Sequence, residues 1–107
     1  MNDGLGDKHR DSILKVLSKH PKVERAVLFG SRAMGTFTST SDVDLALYGD
    51  LGMLDQARIS MEMDELTIPY KVDLVRMSTV TSPAFLEHIQ KHGRDFTGPH
   101  PVLTPSP

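Results

Sequence analysis

Leu28-Phe29-Gly30-Ser31-Arg32-Ala33-Met34-Gly35-Thr36-Phe37-Thr38-Ser39-Thr40-Ser41-Asp42-Val43-Asp44-Leu45 decides the reading of this chain. The stretch predicts a strand ending at the Gly30-Ser31 corner, one helical turn, a Thr/Ser loop, and a second strand opening with aspartates at alternate positions. Alternate residues of a strand point to the same face, so Asp42 and Asp44 are expected to present their carboxylates side by side. Two adjacent carboxylates repel and call for a cation. Gly30 allows close backbone approach, and Ser31 with the amides opening the next turn can donate to phosphate oxygens. Arg32 can add a charge-assisted contact, though a solvated surface arginine is an equal reading. Together these residues describe a site for a metal-bound nucleotide.

Outward from that stretch, the chain reads as helix, strand, turn, strand, helix, strand, helix. A helix is expected over residues 7–19, with Asp7 as its cap and Ile13, Leu14 and Leu17 on its buried face. Residues 23–29 read as a buried strand. Asp42 to Tyr48 reads as the second strand, with Val43, Leu45 and Leu47 opposite the aspartates. A Met-rich helix covers residues 51–66, and Lys71 to Met77 form a third strand. Ser82 and Pro83 open a last helix with Phe85, Leu86 and Ile89 as its stripe, and Gly93 stops it. Asp73 stands between Val72 and Leu74, where an ionised carboxylate is costly unless paired or metal-bound. If the third strand lies beside the second, Asp42, Asp44 and Asp73 converge. Three carboxylates can hold two Mg²⁺ ions roughly 3.5–4 Å apart, the arrangement that serves phosphoryl and nucleotidyl transfer.

The bulk composition sets limits. The 107 residues are 38% hydrophobic and 24% charged, as in an ordinary globular domain. The net charge of -2 with a pI near 6.2 argues against tight binding of nucleic acid. Absence of cysteine excludes disulfides and thiolate zinc sites. No apolar run reaches the roughly 18 residues of a membrane helix, and no secretory signal is legible at the N-terminus, so a cytoplasmic location is expected. The expected organisation is one domain over residues 1–96 followed by a flexible, proline-rich tail over 97–107. His88 and His92 are four apart, a spacing that can bind metal, but nothing obvious joins them and a solvated face is expected. Met53, Met61 and Met63 are read first as core packing, and otherwise as an adaptable partner surface.

Gly30-Ser31-Arg32-Ala33, Gly35, Ser41-Asp42-Val43-Asp44-Leu45 and Asp73 in an apolar strand resemble the polymerase-β-like nucleotidyltransferases. More closely, they are similar to the minimal MNT domain, often the antitoxin half of a HEPN/MNT toxin–antitoxin pair. The resemblance spans about residues 8–93 and implies an α+β fold, with a small mixed sheet of about three strands and flanking helices. It implies that Asp42 and Asp44 bind metal and nucleotide, and that Asp73 completes the metal site and helps activate the incoming hydroxyl. Gly30 and Ser31 match its triphosphate corner. Met34 stands where many minimal members carry a second arginine.

The implied activity is Mg²⁺-dependent transfer of a nucleoside monophosphate, AMP from ATP by family habit, to a hydroxyl of a HEPN-type partner protein. Two other readings stay open: a small-molecule adenylyltransferase of the antibiotic-modifying kind, and a non-catalytic antitoxin that masks its partner. The sequence also leaves room for a homo-oligomer.

Overall fold

The computed structural model describes residues 4–97; the proline-rich stretch, apart from Thr97, lies outside the described residues. The elements are α1 (Gly6–Ser18), β1 (Arg25–Phe29), α2 (Ser31–Met34), β2 (Val43–Tyr48), α3 (Met53–Asp64), β3 (Val72–Arg76), a 3₁₀ turn (Met77–Thr79), α4 (Pro83–His92) and β4 (Arg94–Asp95). The sheet runs β3-β2-β1-β4. β1 is antiparallel to β2 and to β4, while β2 and β3 are parallel. Parallel neighbours require a crossover, and α3 supplies it. The result is the expected α+β architecture on a small mixed sheet, with four strands where about three were expected.

The two faces of the sheet are covered unequally. Val43, Leu45 and Leu47 are fully buried on one face with Ala26, Leu28, Val72 and Leu74, packed against Ile13, Val16 and Leu17 of α1 and Ile59 and Met63 of α3. Each large side chain buried there contributes about 1.5–3 kcal/mol. The other face carries a smaller cluster, Val27, Ala46 and Ile89, with Phe29, Tyr48, Met77 and Phe85 packed around it. Strand alternation puts Asp44 and Asp73 on this second face, beside α4. No helix among the described residues is long and apolar enough to cross a membrane.

Several local expectations are corrected. β4 escapes the hydrophobic pattern because its two residues, Arg94 and Asp95, are charged and exposed. It is anchored instead by the next residue: Phe96 is fully buried in the large cluster, its amide donates to the Ala26 carbonyl at 2.8 Å, and the Arg10 guanidinium lies 4.6 Å from its ring centroid. Asp7 is not the cap of α1; Leu5 holds that position without a side-chain bond, and Asp7 sits in the first turn, where its charge suits the helix dipole. Met63 is core, but Met53 and Met61 are 75% and 63% exposed. On α4, Ser82 Oγ accepts the Phe85 amide at 3.3 Å and Pro83 follows, as expected. Its stripe is narrower than the periodicity suggests: Ile89 is buried, Phe85 is half-buried and Leu86 faces out.

Gly93 ends α4 for a reason other than backbone handedness. Its φ of -62° is open to any residue. A Cβ there would run into the Ile89 carbonyl oxygen and lie 2.8 Å from Val27 Cγ1. Glycine is needed because the chain turns from α4 into β4 against the sheet. Gly93→Ala is therefore expected to destabilise the fold by about 1–3 kcal/mol, read as a lower denaturation midpoint; an unchanged midpoint would show that α4 moves away freely.

Candidate active site

β2 and β3 are in register so that Asp44 pairs with Asp73 and Val43 with Val72. The two aspartates are thus direct neighbours on the face beside α4, at the end of the sheet where β1 turns away. Asp42 lies just before β2 and is exposed, while Asp44 and Asp73 are half-buried. Burial pushes the Asp44 carboxyl above its ordinary value, and the nearby charges of Asp73 and then Asp42 push it the same way. The three candidate residues therefore share one electrostatic environment. Lys71 supplies a local cation, with Nζ 3.7 Å from Asp73 Oδ1, but the lysine is largely exposed and the pair is weak. Among the described residues, no group of three His, Cys, Asp or Glu side chains is drawn together closely enough to form a complete metal cage. The carboxylates nonetheless offer hard oxygen donors with uncompensated repulsion, the donor set that suits Mg²⁺.

Gly30 joins this carboxylate row to the turn that follows β1. It has φ 76° and ψ -157°, a backbone region essentially reserved for glycine. A Cβ on Gly30 would stand 2.5 Å from Asp44 Oδ2. The backbone conformation requires glycine here, and the short distance shows how closely the backbone passes the carboxylate. Ser31, half-buried, begins α2 directly after it. The Gly30-Ser31 corner and the Asp44 carboxylate are therefore parts of one surface.

Arg32 takes neither of the positions weighed from sequence. It is 1% exposed. Its Nε and Nη2 donate to the Ser41 carbonyl at 3.1 and 3.0 Å, and Nη2 reaches the Thr38 carbonyl at 3.4 Å. The rings of Tyr70 and Phe37 flank the guanidinium, with centroids 4.5 and 5.1 Å away. Arg32 thus ties the Thr/Ser loop to α2 immediately before Asp42. Thr38 and Ser41 reinforce the loop, the Thr38 amide donating to Ser41 Oγ at 2.9 Å. Met34, in contrast, is exposed.

Two contributors escaped the sequence reading. His88, assigned there to a solvated face, is half-buried, and its Nε2 accepts the Gly30 amide at 3.3 Å. Its only sequence signal was the position of Phe85 one turn earlier on the same helical face. Arg94 donates to the Ala33 carbonyl at 2.8 Å and so fastens α2 from β4. His92 remains exposed, its ring 5.3 Å from that of His88.

A family model described as "Polymerase beta, Nucleotidyltransferase" matches residues 11–97. Similar solved structures include a toxin–antitoxin with AMP-PNP, at 24% identity and a TM-score of 0.68, covering 88% of this chain and 77% of that one. A tri-AMPylated Shewanella oneidensis HEPN toxin in complex with MNT antitoxin gives 21% identity and a TM-score of 0.60, covering 81% and 67%. The MntA–HepT toxin–antitoxin gives 21% and 0.59, covering 81% and 68%. At these identities the likeness is one of fold. No curated protein sequence matches the chain.

The site generates two stability predictions. A carboxyl held above its ordinary value of 3.8 binds a proton more readily in the folded chain than in the unfolded one. Stability therefore falls as pH rises through the interval between the two values, and stays lowered above it. Asp44→Asn is expected to melt at a higher temperature than wild type near neutral pH in chelator-treated buffer. That gap should close as the pH drops below the ordinary carboxylate range; equal melting at neutral pH would refute the repulsion. Gly30→Ala is expected to cost about 1–3 kcal/mol of stability, measured by denaturant unfolding, because it combines the unfavourable φ with the contact at Asp44.

Proposed function

The chain belongs to the polymerase-β nucleotidyltransferase family, and we propose that it transfers a nucleoside monophosphate, AMP from ATP, to a hydroxyl of a HEPN-type partner protein, acting as its antitoxin. One observation carries the catalytic part of this reading: Asp44 stands beside Asp73, shares the charge of Asp42, and is approached by the Gly30 backbone at the corner that leads into Ser31. Carboxylates to hold a divalent cation and a corner to hold phosphates are adjacent. The partner part rests on the company of the fold, whose solved likenesses include a toxin–antitoxin with AMP-PNP and a HEPN toxin carrying AMP groups in complex with its MNT antitoxin.

In this reading Asp42, Asp44 and Asp73 are the catalytic residues, and Asp42 and Asp44 would hold Mg²⁺, with Asp73 completing the set and substrate phosphates filling the remaining positions. Mg²⁺ when bound supplies neutralisation of phosphate charge and a lowered pKa for the attacking hydroxyl. Ser31 donates from its hydroxyl to the triphosphate, and Gly30, with no side chain, keeps this corner close to the Asp44 carboxylate. Asp73, on the outer strand β3, orients the acceptor hydroxyl and takes up its proton as the oxygen attacks the α-phosphorus in line, and pyrophosphate leaves. Arg32 acts at a remove: by fixing the Ser41 carbonyl it sets where Asp42 emerges from the loop. Most of the rate enhancement is then positioning and electrostatics.

Intact-mass analysis of the protein encoded beside this chain, co-expressed with it, tests the reading. Wild type should add one or more nucleoside monophosphates to that protein. Asp44→Asn, which leaves the fold intact, should lower the transfer rate about a hundredfold or more. A bound but unmodified neighbour would replace the enzymatic reading with a masking antitoxin, and turnover on a free hydroxylated compound alone would replace the protein acceptor. Mg²⁺ and ATP together should also raise the melting temperature through binding to the native state; no shift with millimolar amounts of both would count against a nucleotide site.

A further inference from the structure

The Gly30-Ser31 corner is held from the side opposite Asp44. β1 ends at Phe29, which faces Asp44 in the ladder, so the strand pairing offers the next amide no partner. The Gly30 N–H instead crosses to α4 and donates to His88 Nε2 at 3.3 Å. An imidazole that accepts at Nε2 is neutral and carries its proton on Nδ1. The ring is also seated by its neighbours. Phe29 meets it edge-on with centroids 6.2 Å apart, Phe85 lies 6.5 Å away at a 31° tilt, and His92 is 5.3 Å away. Phe29 and Phe85 pack edge-to-face at 5.1 Å, which fixes α4 against the end of β1. A side chain merely exposed on a solvated helix face would have neither the backbone donor nor the aromatic seat.

Gly30 is thus gripped at two points. His88 takes its amide, and Asp44 occupies the space where a Cβ would be. We propose that His88 is a positioning residue for the triphosphate: by accepting the Gly30 amide it holds this residue at φ 76°, which sets where Ser31 presents its hydroxyl relative to the Asp44 carboxylate. The inference rests on the nucleotide-binding reading of the site. His88 touches neither the proposed metal nor the substrate; it acts through Gly30. It also makes α4, which packs on that face of the sheet, part of the phosphate corner.

Two variants of the full chain separate this role from simple packing. His88→Phe keeps an aromatic ring between Phe29 and His92 but removes the acceptor, whereas His88→Gln removes the ring and keeps an acceptor oxygen at similar reach. Affinity for MgATP is measured by calorimetry, with KM and kcat for transfer alongside. His88→Phe should weaken MgATP binding by about threefold to tenfold, the effect of one lost hydrogen bond, and raise KM by a similar factor with a smaller change in kcat. His88→Gln should return affinity to within about twofold of wild type. Unchanged or tighter MgATP binding by His88→Phe, or a folded His88→Gln that binds as poorly as His88→Phe, would overturn the proposal. Hydrogen exchange at the Gly30 amide of the wild-type chain needs no variant: protection is expected, and exchange at the rate of an open amide would also overturn it. If wild type itself binds no MgATP, the nucleotide reading falls and this inference falls with it. If wild type binds and His88→Phe binds equally, only the inference fails.

Discussion

Parallel pairing of β2 with β3 is the constraint from which the rest of the molecule follows. Two parallel strands cannot be joined by a tight turn, so the chain must leave the sheet, build α3 across one face and return. That excursion buries Ile59 and Met63 and completes the large apolar cluster. The same register sets Asp44 against Asp73, an arrangement that costs energy in the absence of a cation. An antiparallel β3 would still bury Val72 and Leu74 on one face, but would reverse the direction from which Asp73 approaches. The apolar burial of Val43, Leu45 and Leu47 on β2, with Val72 and Leu74 on β3, thus sustains a repulsive pair on the opposite face of the same two strands.

Arg32 is the second device that makes the arrangement possible. A fully buried guanidinium is tolerable only if its donors are satisfied. Here they are met by main-chain carbonyls of the loop before Asp42, with the aromatic rings of Tyr70 and Phe37 also against the guanidinium. A loop of threonines and serines has little apolar surface of its own with which to hold a fixed shape. Its order comes from outside, from a charged side chain that the chain places at the start of α2. Arg94 and His88 fasten α2 and Gly30 from β4 and α4 respectively, so the last helix and the last strand return to brace the corner made by the first half of the chain.

The residues of the site were legible because they are chemically expensive: adjacent aspartates, an aspartate between apolar neighbours, and a glycine before a serine at a strand end. Strand alternation then placed Val43, Leu45 and Leu47 correctly. What was not legible came from partners distant in sequence. Nothing local to Arg32 distinguishes a phosphate ligand from a buried clamp, because the difference lies in the carbonyls of Thr38 and Ser41 and the ring of Tyr70. His88 read as solvated because its acceptor role depends on an amide 58 positions earlier. β4 was invisible because a two-residue edge strand has no periodicity, and its anchor, Phe96, lies just beyond it. The stripe of α4 was overestimated for the opposite reason: helical spacing makes Leu86 available for burial, but it lines an open cavity beside Val27, Tyr48 and Met77 and stays exposed.

The unequal cover of the sheet divides the labour of the sequence. Substitutions among Ile13, Leu28, Leu45, Leu47 and Ile59 alter how firmly the chain is folded. Those along β1, β3 and α4 on the other face alter the surroundings of Asp44 and Asp73 while leaving that large cluster untouched. Side chains around the candidate site can therefore be exchanged without disturbing the packing that holds the fold. The thinly covered face is the part of the molecule least committed to holding it together.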